Sequence, residues 1–454
     1  MRDLLLAALV FGLLPVCFAR PWIGVLVWNW IGMMSPQWFM WGFARDFRWA
    51  ALVGGVTLAG LLFTRDRKPI PWNLPLVLIL VMLAYFTFTT LFAWVPDAAW
   101  EKWSLVAKVI LMTIITTMTI YGRDRIRWLL LVIALSVGFY GIKGGLWSLL
   151  VSGGQYSVRG PEGGFMTMNN GIGIGLLMVL PVMLALAQEH ARAWQRWSLR
   201  LAAGLCTVAI VFTYSRGALL GLAVVAFLMF LRSDRKLLAA LAMVPVIVVA
   251  SFWIPEKLFE RAETISTYEK DNSVMQRFQA WTVAWNIAKE SPITGAGFEF
   301  DSTPDTQRWF SYGAPDIYQT MNLVQSAHSI YFQILGQHGF VGLALYLALI
   351  LATLWSCSRL AARAAADPGV KWVGTYARAI QISLIAHMVS GAFVSTAYFD
   401  LAWVYYALTA ILGRELAQQE GVSQRAAVSA HEAHTGRMPM PVEPVRRSTL
   451  GRLP

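Results

Sequence analysis

WNLPLVLILVMLAYFTFTTLFAW, Trp72 to Trp94, holds no charged side chain from end to end. Wound as an α-helix at about 1.5 Å per residue, it is long enough to cross the roughly 30 Å of hydrocarbon in a bilayer. In that medium no water pairs with the backbone, so a run of this kind is read as a transmembrane helix. The rest of the chain repeats the pattern. Comparable apolar runs lie at roughly 4–19, 22–36, 49–64, 103–120, 128–150, 171–188, 199–214, 217–231, 237–254, 330–356, 377–395 and 399–413. Of the 454 residues, 57% are hydrophobic and only 14% charged, beyond what a soluble core needs. The expected fold is all-α: a polytopic membrane protein of about 12 transmembrane helices.

Basic residues orient it. Arg65, Arg67 and Lys68, then Arg123, Arg125 and Arg127, then Arg192, Arg196 and Arg200, then Arg232, Arg235 and Lys236, and finally Arg359, Arg363, Lys371 and Arg378 fall on alternate turns. The positive-inside rule puts those turns in the cytoplasm. The first two runs are short and divided by Arg20-Pro21, so they count as one crossing, and both chain ends then lie inside. Leu4 to Ala19 has no convincing cleavage site and is kept as a retained span. The chain divides into helices with short loops over 1–254, a large outward loop over 255–328, further membrane helices over 329–414, and a polar tail over 415–454 expected to be disordered.

The net charge of +12 is carried largely by these anchors and the tail, so it points to membrane lipids and not to nucleic acid. Cys17, Cys206 and Cys357 are scattered through apolar spans and make neither a disulfide pattern nor a metal cluster. No HExxH, CxxC or P-loop occurs, and acidic pairs are missing from the short outer loops. No metal and no cofactor is expected.

Charges at the outer face that do not serve as cytoplasmic anchors are the candidates for chemistry. They are Arg159 in SVRGPEGGFMTMNNG, Arg216 in TYSRGALLG, Arg277 in NSVMQRFQAW and His328 in AHSIYFQILGQHGFVG. Each arginine has a plain alternative: Arg216 could snorkel to headgroups, Arg277 with Trp281 and Trp285 could anchor a helix lying along the membrane surface, and Arg159 could sit in a solvated turn. Converging arginines suit a diphosphate, because a planar guanidinium donates two hydrogen bonds and keeps its charge. His328 is expected in the first turn of the helix after the long loop, where the helix N-terminus disfavours imidazolium and leaves a neutral base. A purely structural histidine is the competing reading. His338, about 15 Å deeper along an ideal helix, is assigned no chemistry. Gly336, Gly339 and Gly342 form a smooth strip, read as a close helix contact or as a groove for a lipid chain.

The run His328-Ser329, nine residues and then Gly339 and Gly342 resembles the signature of O-antigen ligases and related bacterial O-oligosaccharyltransferases. In the same order, RGPEGGFMTMNNG resembles the family's Arg-Gly-to-Asn loop, SRGALLG its Ser-Arg-Gly turn, RFQAW its loop arginine and aromatic, and SPITGAGFEF its Pro-x-x-Gly-x-Gly segment. The opening MRDLLLAALVFGLLP and the tryptophan-rich second segment resemble a subgroup of exosortase-associated O-glycosylation ligases. The resemblance implies a large periplasmic loop and a place in the bacterial inner membrane. It also implies metal-independent, inverting transfer of a glycan from undecaprenyl diphosphate to an acceptor hydroxyl, most typically a lipid A-core sugar. His328 would be the general base, Arg216 and Arg277 would hold the diphosphate, and Arg159, Asn169, Asn170 and Ser329 would help bind substrate. The family's Asn-Pro-Asn form is here Met168-Asn169-Asn170, which leaves the choice of asparagine open. A protein Ser/Thr acceptor, a glycan polymerase and a lipid-linked glycan flippase are the alternatives.

Overall fold

A computed structural model describes residues 1–164, 166–232, 236, 272–302, 312 and 326–435. Among them the chain forms α-helices and short 3-10 turns, with no strand. The helices are α1 (Arg2–Ala19), α2 (Pro21–Met34), α3 (Trp49–Phe63), α4 (Leu74–Leu91), α5 (Pro96–Thr119), α6 (Gly122–Leu150), α7 (Asn169–Glu189), α8 (Ala193–Val211), α9 (Arg216–Arg232), α10 (Asn272–Glu290), α11 (Ile330–Ala364), α12 (Lys371–Gly391) and α13 (Asp400–Thr435). Six of these, α1, α4, α5, α6, α7 and α11, are long and apolar enough to cross a membrane. The expected span at 237–254 lies outside the described residues.

Local chemistry sets the helix ends. The run that opened the sequence reading becomes α4, started by Asn73, whose side chain accepts from the Leu76 N–H while Pro75 occupies a first-turn position that needs no donor. Polar side chains inside the helices pair with their own backbone. The hydroxyls of Thr113, Thr116 and Thr119 each return to the carbonyl four residues back. The core gathers around α7, buried on nearly every side, with α6, α8, α9 and α12 packed round it. Two donors from separate helices, the hydroxyls of Ser383 and Tyr405, meet at the Met178 carbonyl.

Three expectations need correction. First, α1 and α2 are separate helices, divided at Arg20. Asp3 accepts hydrogen bonds from the Gly42 and Ala44 N–H groups, so the chain starts beside the loop that precedes α3. The other end of α3 leads to Lys68, whose N–H meets the Met118 carbonyl in the neighbourhood that Arg414 joins by donating to Thr117 and Ile120. The chain start and the Arg414 end therefore lie at opposite ends of the bundle. Second, the helix expected within 255–328 to lie along the membrane surface is α10, and it packs against another helix. That helix packs along α11 through Trp281, stacked on Phe332 at 4.9 Å, and Trp285, edge-on to Phe340 at 5.4 Å. Trp281 is thus engaged by protein, while Trp285 stays 47% exposed. Third, α13 continues past Gly413 to Thr435. The sequence there is rich in Ala, Glu and Gln, good helix formers, and Leu416 is buried while Glu420 pairs with Arg363.

α11 is the other departure from the sequence reading: it is two helical pieces meeting at Gly339, whose φ of +65° is non-helical. The backbone groups freed at the break are paired by the Pro-x-x-Gly-x-Gly segment. Ala296 and Gly297 donate to the carbonyls of Gly336 and Gln337, each at 2.9 Å, and Phe340 donates to the Pro292 carbonyl at 2.9 Å. The Tyr85 hydroxyl, from α4, reaches the carbonyls of Ile293 and His338. A Cβ at position 339 would stand 2.4 Å from the Pro292 oxygen. The glycine strip is a close contact: backbone of Pro292 and Ile293 lies on Gly339, the side chains of Phe300 and Ala284 on Gly336, and those of Tyr85 and His338 on Gly342.

Candidate active site

His338 lies at this break, fully buried. Its Nδ1 meets the Thr89 hydroxyl at 2.7 Å and its Nε2 meets the Tyr398 hydroxyl at 2.9 Å, with the Tyr398 oxygen 2.5 Å from the Gln337 side chain. Phe86 stacks on the ring at 4.3 Å and Phe298 meets it edge-on. A neutral imidazole donates through one nitrogen and accepts through the other, so this set is satisfied without a charge. The arrangement clamps α4, α11 and the turn before α13.

His328 is placed differently. It stands two residues ahead of α11, in a bend and not in the first helical turn, because Ser329 is extended and serves as the N-cap. His328 has φ of +44°, a left-handed conformation that costs a non-glycine residue about 1–2 kcal/mol. The strain is held from α10: the Trp281 indole donates to the carbonyl of Ala327, the preceding residue, at 2.7 Å. Arg277 is one turn before Trp281 on α10, half-buried, and its charge reaches His328. Burial first, and the Arg277 guanidinium second, push the His328 imidazole below its ordinary range near 6.5. A ring so placed is neutral at neutral pH and can accept a proton.

Arg216 opens α9 by similar means. Tyr214, two residues earlier, is left-handed at φ of +52°, and the Ser215 hydroxyl caps the helix by accepting from the Ala218 N–H at 3.2 Å. Arg216 is exposed beyond this turn. α12 links this turn to the start of α11. The Ser390 hydroxyl donates to the Gly217 carbonyl at 2.9 Å, and the adjacent Gly391 packs against Ile330.

Of the expected binding residues, Asn169 is committed to the same turn, its amide donating to the Thr213 carbonyl at 2.8 Å. Asn170 is half-buried beside it. Ser329 is buried and its side chain makes no capping bond. Arg159 sits at this end of the bundle too, since the Val158 N–H donates to the Phe212 carbonyl at 2.9 Å. It lines a separate cavity shared with Arg45 and Lys143, two cations that the sequence reading passed over. Only the fold brings those segments together. Among the described residues no group of three or more His, Cys, Asp or Glu is arranged to hold a metal ion.

Residues 201–347, which contain Arg216, Arg277 and His328, match the family model described as O-antigen ligase. Over that stretch the chain is similar to the O-antigen ligase family. Residues 1–175 match a family of unknown function (DUF5935). No curated protein matches the chain. The O-antigen ligase match and the six long apolar helices support a multi-pass membrane protein with glycosyl transfer of the ligase or polymerase type.

Proposed function

We propose that this chain is an O-antigen ligase that moves a glycan from undecaprenyl diphosphate to a hydroxyl of the lipid A-core, at the periplasmic face of the bacterial inner membrane. The observation that carries the reading is the placement of a neutral-tending His328 within reach of the Arg277 charge, with Trp281 of the same helix bonded to the carbonyl before the histidine, inside the matched domain. The acceptor oxygen attacks the anomeric carbon while His328 takes its proton. The bond from that carbon to the diphosphate oxygen breaks, and undecaprenyl diphosphate leaves with the electron pair. One displacement inverts the anomeric configuration. Arg216 and Arg277 stabilise the charge that gathers on the leaving diphosphate, the work a divalent ion performs elsewhere. The donor's polyprenyl tail stays in the bilayer among membrane lipids, while the acceptor comes from water. The features of the first two helices favour the exosortase-associated subgroup.

The test is mass analysis of the products formed by the purified chain with a lipid-linked glycan and each acceptor. The expected result is a glycosylated lipid A-core and free undecaprenyl diphosphate. Glycan on protein Ser or Thr, an elongated glycan on a second lipid diphosphate, or movement of the donor across the membrane with no new bond would each replace this reading.

A further inference from the structure

A cavity of about 600 Å³ opens at the C-terminal end of α6, between the segment after α2, the last turns of α6 and the loop at 156–162. Its rim is aromatic and uncovered: Trp41, Tyr156 and Trp147 are 83%, 66% and 50% exposed. Its charge is lopsided. Arg45, Lys143 and Arg159 line it against the single carboxylate of Glu162, which pairs with Arg45 at 2.9 Å.

The cavity is built in advance. Gly163 has φ of +79°, and a Cβ there would fall 1.7 Å from the Trp38 ring, so the loop is drawn onto that tryptophan as only glycine allows. The Arg45–Glu162 pair fastens the same loop to the segment after α2. Tryptophans that merely belong to an interfacial belt lie against lipid. Here they surround a concavity that also holds three cations.

We propose that this cavity binds an anionic saccharide. Pyranose rings present flat C–H faces that lie on exposed indole and phenol rings, and the acid groups of the saccharide meet Lys143 and the guanidinium of Arg159 in charge-assisted hydrogen bonds. The cavity falls wholly within residues 1–175, the segment matched to a family of unknown function, and gives that segment a task. It shares an end of the bundle with Arg216 through the Val158–Phe212 bond. A saccharide held here is anchored beside the transfer site. The inference rests on the glycosyl-transfer reading only for where the saccharide comes from.

Calorimetry on the purified full chain in phosphatidylcholine nanodiscs tests it, with trigalacturonate, neutral maltotriose and inorganic diphosphate as probes. Trigalacturonate should bind at least about tenfold more tightly than either of the others. Lys143→Gln and the Trp41→Ala, Trp147→Ala pair should each weaken it at least about fivefold, whereas Arg277→Gln should leave it unchanged. Both tryptophans are at least half exposed, so their truncation leaves the fold intact. Equal binding of maltotriose or diphosphate, indifference to the cavity variants, or loss of binding in phosphatidylglycerol nanodiscs, which would mark a lipid headgroup site, overturns the proposal. Saccharide binding without any transfer would remove the ligase reading and keep the cavity; transfer without saccharide binding would do the reverse.

Discussion

The Arg277 guanidinium reinforces what burial does to His328: both disfavour a proton on the imidazole. Arg277 lies on α10 and His328 in the bend before α11, and Trp281, one turn from the arginine, fixes the carbonyl just before the histidine.

The pH dependence follows from the sign of that shift. With its folded value below 6.5, His328 is neutral through pH 7 to 8, so the transfer rate should be flat there and should fall with unit slope below an inflection that lies under 6.5. Stability moves the same way. The unfolded chain takes up this proton more readily than the folded one, so folding loses stability as pH drops through the unfolded value toward the folded one. An NMR titration of His328 in the wild type and in Arg277→Gln checks the cause: the variant should titrate higher, and an unchanged value would remove Arg277 from the electrostatics.

His328→Ala should abolish transfer yet leave binding of the lipid-linked donor largely intact, because the arginines grip the diphosphate in this mechanism. Both quantities are measured on the same purified protein. Near-normal transfer by the variant would sink the general base.

Arg216→Lys and Arg277→Lys each keep a positive charge but lose the two-pronged donor. Activity should fall at least about tenfold in each, a barrier change of about 1.4 kcal/mol, at unchanged membrane abundance. Two fully active lysine variants would show that the diphosphate is held elsewhere.

Transfer should persist in EDTA and respond little to added magnesium, since guanidinium groups supply the charge. Loss on chelation with recovery on adding a divalent ion would contradict that assignment.

Gly339→Ala should destabilise the fold by at least about 2 kcal/mol, from the left-handed backbone together with a Cβ placed 2.4 Å from the Pro292 oxygen. Thermal unfolding in detergent reads this directly. A wild-type midpoint would mean that the break in α11 is easily rebuilt.

The apolar runs gave away the helices because a bilayer demands length and lack of charge, properties visible in one dimension. Arg216, Arg277 and His328 stood out for a related reason, as charges where oil begins. The break at Gly339 was hidden, since a glycine in an apolar run reads equally as a helix contact, and only the backbone of 292–297 lying against it distinguishes the two. The pairing of α10 with α11 depends on aromatic contacts across a segment whose hydrophobic pattern suits a membrane surface just as well. Arg45 and Lys143 were passed over because their importance comes from facing Arg159, 114 and 16 residues away along the chain.

The break in α11 also defines a natural unit of exchange. The piece of α11 that follows His328 is fastened to the 292–297 turn by backbone hydrogen bonds at Gly336, Gln337 and Phe340. Residues 272–339 are therefore the segment to transplant between relatives that differ in acceptor. Arg277, Trp281 and His328 all precede α11, so a graft ending at Gly339 carries base, arginine and clamp together with the first piece of α11 and the 292–297 turn bonded to it.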